Sequence, residues 1–242
     1  MIKVNTEETT LSAENSLVES LFSVGAHFGF VKSRRHPSVK PFIFGTKNKI
    51  EIFDLEKTKE ALHRALEFVQ TLGERFAMIL FVSGKNEAKS AVTSLAENIN
   101  MPYVAGRFIG GTLTNFPEIR KRVEKLEMLA TQKEKGELSK YTKKERLLID
   151  RDILKLKNFF FGLSVMKKLP DALFVVDGKH ESIAVKEARR IGIPVIALCG
   201  TDNNLGEIDY PIPGNDASRA SIEFFLKKIA EAYKAGQMKK VE

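Results

Sequence analysis

Two apolar runs end in groups able to do chemistry. AMILFVSGK places Lys85 just past one, and ALFVVDGKHE places Asp177, His180 and Glu181 just past the other. The carboxyl ends of strands are where α/β proteins collect their reactive groups. A carboxylate, an imidazole and a lysine there would suit acid–base work on a phosphorylated small molecule. No nucleophile or second carboxylate accompanies them at a motif spacing, so a polar strand-to-helix loop with Glu181 in the first helical turn explains them better. A third candidate is GRFIGGTLTNF, residues 106–116. Its glycines point to a phosphate cradle, but Gly106, Gly110 and Gly111 break the G-x-G-x-x-G spacing. Thr112-Leu113 stands where a P-loop carries Lys-Ser/Thr, so the group that reaches terminal phosphates is missing. The segment reads instead as a sharp turn that swings the chain into a helix. Arg107 is then left to meet a phosphate of a large partner.

Metal chemistry is poorly supplied at the level of spacing. Cys199 is the one cysteine, so no internal disulfide forms, and a reducing compartment suits the chain. His27, His36, His63 and His180 are scattered without zinc spacing. Asp202-Asn203-Asn204 lacks the glycine and glutamate of a calcium loop. No catalytic residue, cofactor or metal ligand is assigned.

The elements that would position these groups follow an α/β pattern. Ser16–Val24 reads as a short amphipathic helix closed by Gly25. Phe42–Phe44 and Ile50–Phe53 pair as a hairpin across GTKNK. Parallel strands are expected at Ala77–Val82, Met101–Ala105, Ala172–Val176, Pro194–Leu198 and Asp209–Ile212. Helices are expected at Leu55–Leu72, Lys85–Ile99, Ser182–Ile191 and Ala217–Ala235. Apolar strands alternating with helices imply a flavodoxin-like, doubly wound parallel sheet covered on both faces.

An insertion follows the second parallel strand. Ile119, Val123, Leu126 and Ala130 are spaced 4, 3, 4, and so are Ile149, Ile153, Leu156 and Phe160. That is the narrow seam of an antiparallel coiled-coil hairpin. Asn115 with Glu118 and Pro117 marks one helix start, Thr142 with Glu145 is a capping box for the other, and GELSK makes the turn. The expected organisation is an N-terminal helix and extension (1–29) and an α/β domain (30–115 and 161–226) containing a basic loop (30–50). A projecting hairpin (116–160) and a C-terminal helix end with basic tail (227–242) complete it.

Charge is unevenly spread over a chain with a formal net charge of +8. Phe30 to Ile50 holds Lys32, Arg34, Arg35, Lys40, Lys47 and Lys49 and no acidic residue. Glu118 to Lys157 holds 13 Lys/Arg against 8 Asp/Glu. A basic loop and a basic arm suit a polyanion. The polar, acidic N-terminus is unlike a signal peptide, and no apolar run approaches membrane-spanning length, so a soluble cytoplasmic protein is expected.

GAHFGF, RRHPSVKPFIFGTKNKIEIFDLEKT, ILFVSGK, GRFIGGTLTNF, YTKKE, LPDALFVVDGKHE and IPGNDASRA occur in that order. This series resembles the bacterial-type family of ribosomal protein two of the small subunit, from about Ser16 to Phe225. The resemblance implies the same α/β fold with a coiled-coil insertion and a non-enzymatic role. It implies a monomeric copy at the head–body junction of the small subunit, binding small-subunit rRNA and neighbouring ribosomal proteins and helping to recruit ribosomal protein one. Carried over by motif and charge, the rRNA-facing candidates are Lys32, Arg34, Arg35, Lys40, Lys47, Lys49, Arg107, Asn115, Arg120 and Lys121. The chain departs from the family pattern at Phe30, where a histidine is common, and at His36, where the family carries Trp-Asn before the proline. Phe28 is expected to be a hydrophobic anchor. An α/β enzyme or binding protein for a phosphorylated small molecule, with its site built on Lys85, Asp177 and His180, is the rival expectation.

Overall fold

A computed structural model describes residues 16–239. The expected extension at 1–15 and the last tail residues, 240–242, lie outside the described residues. Helix α1 (residues 16–23) leads into strand β1 (Phe28–Val31), two short 3-10 turns (Lys32–Arg34 and Pro37–Phe42), β2 (Ile43–Lys47) and β3 (Ile50–Phe53). Then come α2 (Leu55–Glu74), β4 (Ile79–Ser83), α3 (Asn86–Asn98) and β5 (Tyr103–Ala105). Helices α4 (Phe116–Glu134) and α5 (Lys143–Phe160) form the insertion. The chain finishes with β6 (Ala172–Val176), α6 (Ser182–Ile191), β7 (Val195–Cys199), β8 (Tyr210–Pro213) and α7 (Arg219–Lys239).

The five apolar strands form one parallel sheet in the order β5-β4-β6-β7-β8. Numbered within that sheet the order is 2-1-3-4-5, the flavodoxin-like winding, and the direction reverses between β4 and β6. Alternation along each strand feeds two cores. Ile79, Phe81, Phe174 and Ile196 pack under α2, α3 and α7. Leu80, Val82, Val175 and Ala197 pack under α6, the base of α4 and α5, and the small sheet. Both faces are therefore dry, which is why these strands read as unbroken apolar runs. Pro211 and Pro213 are tolerated because β8 lies at the sheet edge.

The expected hairpin is larger than its sequence pattern. β1 adds a third strand, giving an antiparallel sheet β1-β3-β2. Phe28–Val31 escaped a strand reading because FGFV is too short to show an alternation. The β2–β3 turn is two residues, Asn48 and Lys49, both with positive φ (50° and 67°), the hand that matches strand twist. Phe28 is not the expected anchor: it is 47% exposed, and Leu21 and Ala26 hold α1 to the core instead.

Helices α4 and α5 run antiparallel, with Lys133–Asp150 (2.7 Å) and Lys125–Asp152 (3.6 Å) bridging them. Ile119, Val123 and Leu126 are buried, and Ile149, Ile153 and Leu156 are half-buried, so burial follows the two spaced series. The Thr142–Glu145 capping box is complete. Asn115 precedes the first residue of α4, but its side chain makes no capping bond. Its carbonyl accepts from Glu118 and Ile119 instead, and Pro117 supplies a preset φ without needing a donor.

Helices α2 and α7 cross at contact distance through Gly73 and Gly236. A Cβ on Gly236 would collide with the Gln70 carbonyl, a backbone atom that cannot yield cheaply. Gly236→Ala is expected to lower stability by about 1–3 kcal/mol, read as a lower urea midpoint, despite Ala's better helix propensity.

Candidate nucleic-acid interface

The crevice at the strand-order reversal, where a doubly wound sheet commonly holds a ligand, is occupied by the protein's own charges. Lys85 follows β4 and points across the sheet ends. Its Nζ lies 2.8 Å from Asp177 Oδ2, after β6, and 2.9 Å from Asp216 Oδ2, after β8. It also donates to the Asp216 carbonyl at 3.0 Å. Asp202, after β7, accepts from Arg34 at 2.9 Å and Lys179 at 3.1 Å. Glu181 accepts from the Gly84 N–H at 2.8 Å and from His180 Nδ1 at 2.6 Å. Sequence reasoning named Lys85, Asp177, His180 and Glu181, and the structure does bring them together. It places the lysine in ion pairs, so it is not offered to a phosphorylated ligand.

Asp177, Asp202 and Asp216 are all buried, with oxygens within 4.8 Å of one another. A carboxylate set of this kind is what a hard cation requires. No sequence spacing revealed it, because each aspartate comes from a different loop. Here the Lys85 ammonium stands between two of them. Burial alone would push Lys85 down and Asp177 up, but charge reverses both: Asp216 and then Asp177 raise Lys85, and Lys85 lowers Asp177. Asp216 goes the other way. Its burial, with the charges of Asp177 and Asp202, outweighs Lys85 and pushes it up to about 6.

The glycine-rich loop does bind an anion, and the anion is internal. Glu187 of α6 accepts from the backbone N–H groups of Gly111, Leu113 and Thr114, the latter two at 3.0 and 3.1 Å, and from Thr114 Oγ1 at 3.2 Å. Gly111 has φ +91°, which only glycine adopts freely, and this turn points successive N–H groups inward. GRFIGGTLTN is thus both a carboxylate nest and the base of α4.

The ten rRNA-facing candidates divide into two groups. Arg34 pairs with Asp202, Arg35 with Glu51 (2.8 Å), Arg120 with Glu124 and Glu127, and Lys121 with Glu118. Lys32, Lys40, Lys47, Lys49 and Arg107 are exposed and make no ion pair among the described residues, and Asn115 is exposed without a side-chain hydrogen bond to its helix. Arg35 and Arg34 tie the basic segment to the domain. Arg34 also lies 4.3 Å over the Phe30 ring, with Lys85 5.9 Å from the same ring, so the departure at Phe30 supplies a cation–π face. The departure at His36 caps the Pro37–Phe42 turn, its Nδ1 accepting from Ser38 N.

A cleft at the base of the helical pair adds residues that sequence reasoning missed. It encloses about 520 Å³ and is lined by Arg107, Lys89, Lys157, Tyr103 and Phe161 with no carboxylate in its wall. The three cations lie more than 15 residues apart in sequence, so no local pattern grouped them.

A sheet of this winding, with its crevice closed by its own ion pairs and a helical pair inserted after its second strand, defines a doubly wound α/β protein. The chain belongs to the ribosomal protein S2 family, whose model matches residues 21–236. It is 43% identical over 220 residues to the small ribosomal subunit protein uS2 of Nitratiruptor sp. (91% of this chain, 82% of the relative). It is 39% identical over 228 residues to the uS2 protein of Pseudoalteromonas atlantica (94% of each), and 42% identical over 215 residues to that of Hahella chejuensis (89% and 85%). No helix among the described residues is long and apolar enough to cross a membrane.

The two carboxylates on Lys85 are expected to differ in sign. Asp177, lowered on folding, contributes stability above the ordinary carboxylate range and loses it as pH falls. Asp216, raised, contributes while protonated and loses that contribution as pH rises through about 6. Thermal melts should therefore show Asp177→Asn more destabilising at pH 8 than at pH 4. Asp216→Asn should gain relative to the parent between pH 5 and pH 8. Lys85→Met, which strands both carboxylates, should cost about 3–5 kcal/mol at pH 8. For the nest, Glu187→Ala is expected to cost about 2–3 kcal/mol in urea unfolding and Glu187→Gln less, since the amide oxygen still accepts.

Proposed function

We propose that the chain is a structural component of the small ribosomal subunit that binds small-subunit rRNA, one copy per cytoplasmic ribosome. The observation that carries this reading is the split among its basic residues. Arg34, Arg35, Arg120 and Lys121 are engaged in ion pairs, while Lys32, Lys40, Lys47 and Lys49 and the Arg107 cleft carry positive charge with no carboxylate partner among the described residues. Cations kept unpaired on folded loops are available to neutralise phosphates, and irregular loops can follow an irregular RNA surface. Membership of the ribosomal protein S2 family supports the same reading. In this proposal α4 and α5 act as a coiled-coil arm projecting from the α/β domain. The site lies at the head–body junction, the neighbours are other small-subunit proteins, and the protein supports recruitment of ribosomal protein one.

Sedimentation of native extract tests the reading. The chain should travel stoichiometrically with the small subunit and be released as salt rises, whereas free migration at low salt would overturn it. The split makes a sharper expectation. Replacing Lys47 or Arg107 by alanine should reduce the slope of log affinity against log salt by about 1 for each phosphate left unneutralised. Arg35→Ala, which leaves Glu51 buried and unpaired, should show mainly as a lower melting temperature.

A further inference from the structure

We infer that the cleft at the root of α4 and α5 seats one unstacked nucleotide of an RNA strand; the inference rests on the rRNA-binding reading above and names one contact within it. The cleft is built where the helical pair returns to the sheet. Helix α5 ends at Phe160, and Phe160 and Leu163 are both buried, so the short turn that follows the helix is held at each end. Gly162 lets that turn lie directly on the edge strand β5: a Cβ there would collide with the Tyr103 carbonyl and come within 2.8 Å of its ring. Phe161, fixed by this turn, is left 49% exposed and lines the cleft. Tyr103 lines it from β5, and its hydroxyl donates to Glu97 Oε1 at 2.9 Å, which holds the ring at its tip as well. Two aromatic rings therefore stand at fixed places in one wall.

The rest of the wall selects the ligand. Arg107 follows β5, Lys89 lies on α3, and Lys157 lies one turn before Phe161 on α5. All three are exposed and make no ion pair among the described residues. The Lys157 ammonium is 5.2 Å from the centroid of the Phe161 ring, so charge and aromatic face meet at one point. Asn158 adds an amide that makes no side-chain hydrogen bond among the described residues. An acidic peptide would satisfy the cations and leave both rings without a partner. A nucleotide uses every group: ring faces for its base, an amide for the base edge, and cations for the phosphates on either side. The enclosed volume of about 520 Å³ falls in the range of small-ligand sites, which fits one splayed nucleotide and not a duplex.

The test uses the full chain rebinding to small-subunit particles depleted of it, at several salt concentrations. Phe161→Ala should weaken binding about 5- to 150-fold with the salt slope unchanged. Phe161→Leu, which keeps apolar bulk but has no flat face, should weaken it similarly, and Phe161→Tyr should retain it. Lys89→Ala and Lys157→Ala should instead lower the slope. A photoreactive phenylalanine analogue at position 161 should give its adduct on rRNA. Full-strength binding by Phe161→Leu, or an adduct on protein alone, overturns the inference and leaves the rRNA reading standing. A melting-temperature rise with adenosine monophosphate and no rRNA adduct also overturns it, in favour of a free nucleotide. Failure of the unaltered chain to bind the particles sinks both. Thermal melts of the three Phe161 variants should match the parent, which separates lost stacking from damaged folding.

Discussion

Lys85 reaches from the end of β4 to carboxylates at the ends of β6 and β8, at distances of 2.8 and 2.9 Å. These three strands are separated by helices in sequence and meet only at the crevice of the sheet. Bringing one ammonium and two carboxylates out of water costs several kcal/mol per ion, and the attraction offsets this only with close geometry. The cluster therefore acts as a register device more than as a source of stability. Lys85, Asp177 and Asp216 must converge, so the loops after three strands are held in one arrangement. Arg34 and Lys179 on Asp202 extend that arrangement to the basic segment. The place where a related sheet would admit a nucleotide is closed from within.

The same use of internal charge appears at the glycine-rich loop. A run of backbone N–H groups aimed at one point attracts anions of any kind. In a P-loop the anion is a phosphate; here it is the Glu187 carboxylate, delivered by α6. The consequence is mechanical. The loop that begins α4 is bonded to a helix on the sheet, so the inserted helical pair leaves the domain from a fixed base. Ile119 and Val123 then continue the core outward into the seam between α4 and α5.

Charge pairing decides which basic residues face outward. A protein with a net charge of +8 has an excess of cations wherever it folds, but the excess is not distributed evenly. Buried Glu51 and Asp202 neutralise Arg35 and Arg34 and thereby hold the 32–42 segment in place. The remaining lysines of that segment and Arg107 have no carboxylate partner among the described residues. Ordering the segment in advance reduces the entropy that association must overcome.

Much of this architecture is legible in the residues alone. Both dry faces of the parallel sheet follow from strands such as ALFVV and VIALC, because a strand buried on both sides has no polar position. The helical nature of α4 and α5 follows from the 4-3-4 spacing, because apolar residues so spaced fall on one face of a helix. The rejection of a P-loop follows from one missing lysine. Other features have no local signature. β1 is four residues long and becomes a strand only because β3 offers an unpaired edge. The three aspartates lie on three loops, and the Arg107, Lys89 and Lys157 cleft draws on three elements, so no window of sequence contains either group. The carboxylate in the glycine-rich nest lies 76 residues from Gly111. Composition set how much positive charge the chain carries; tertiary structure decided which of it is neutralised internally, because an ion pair depends on distance in space and a sequence records only distance along the chain.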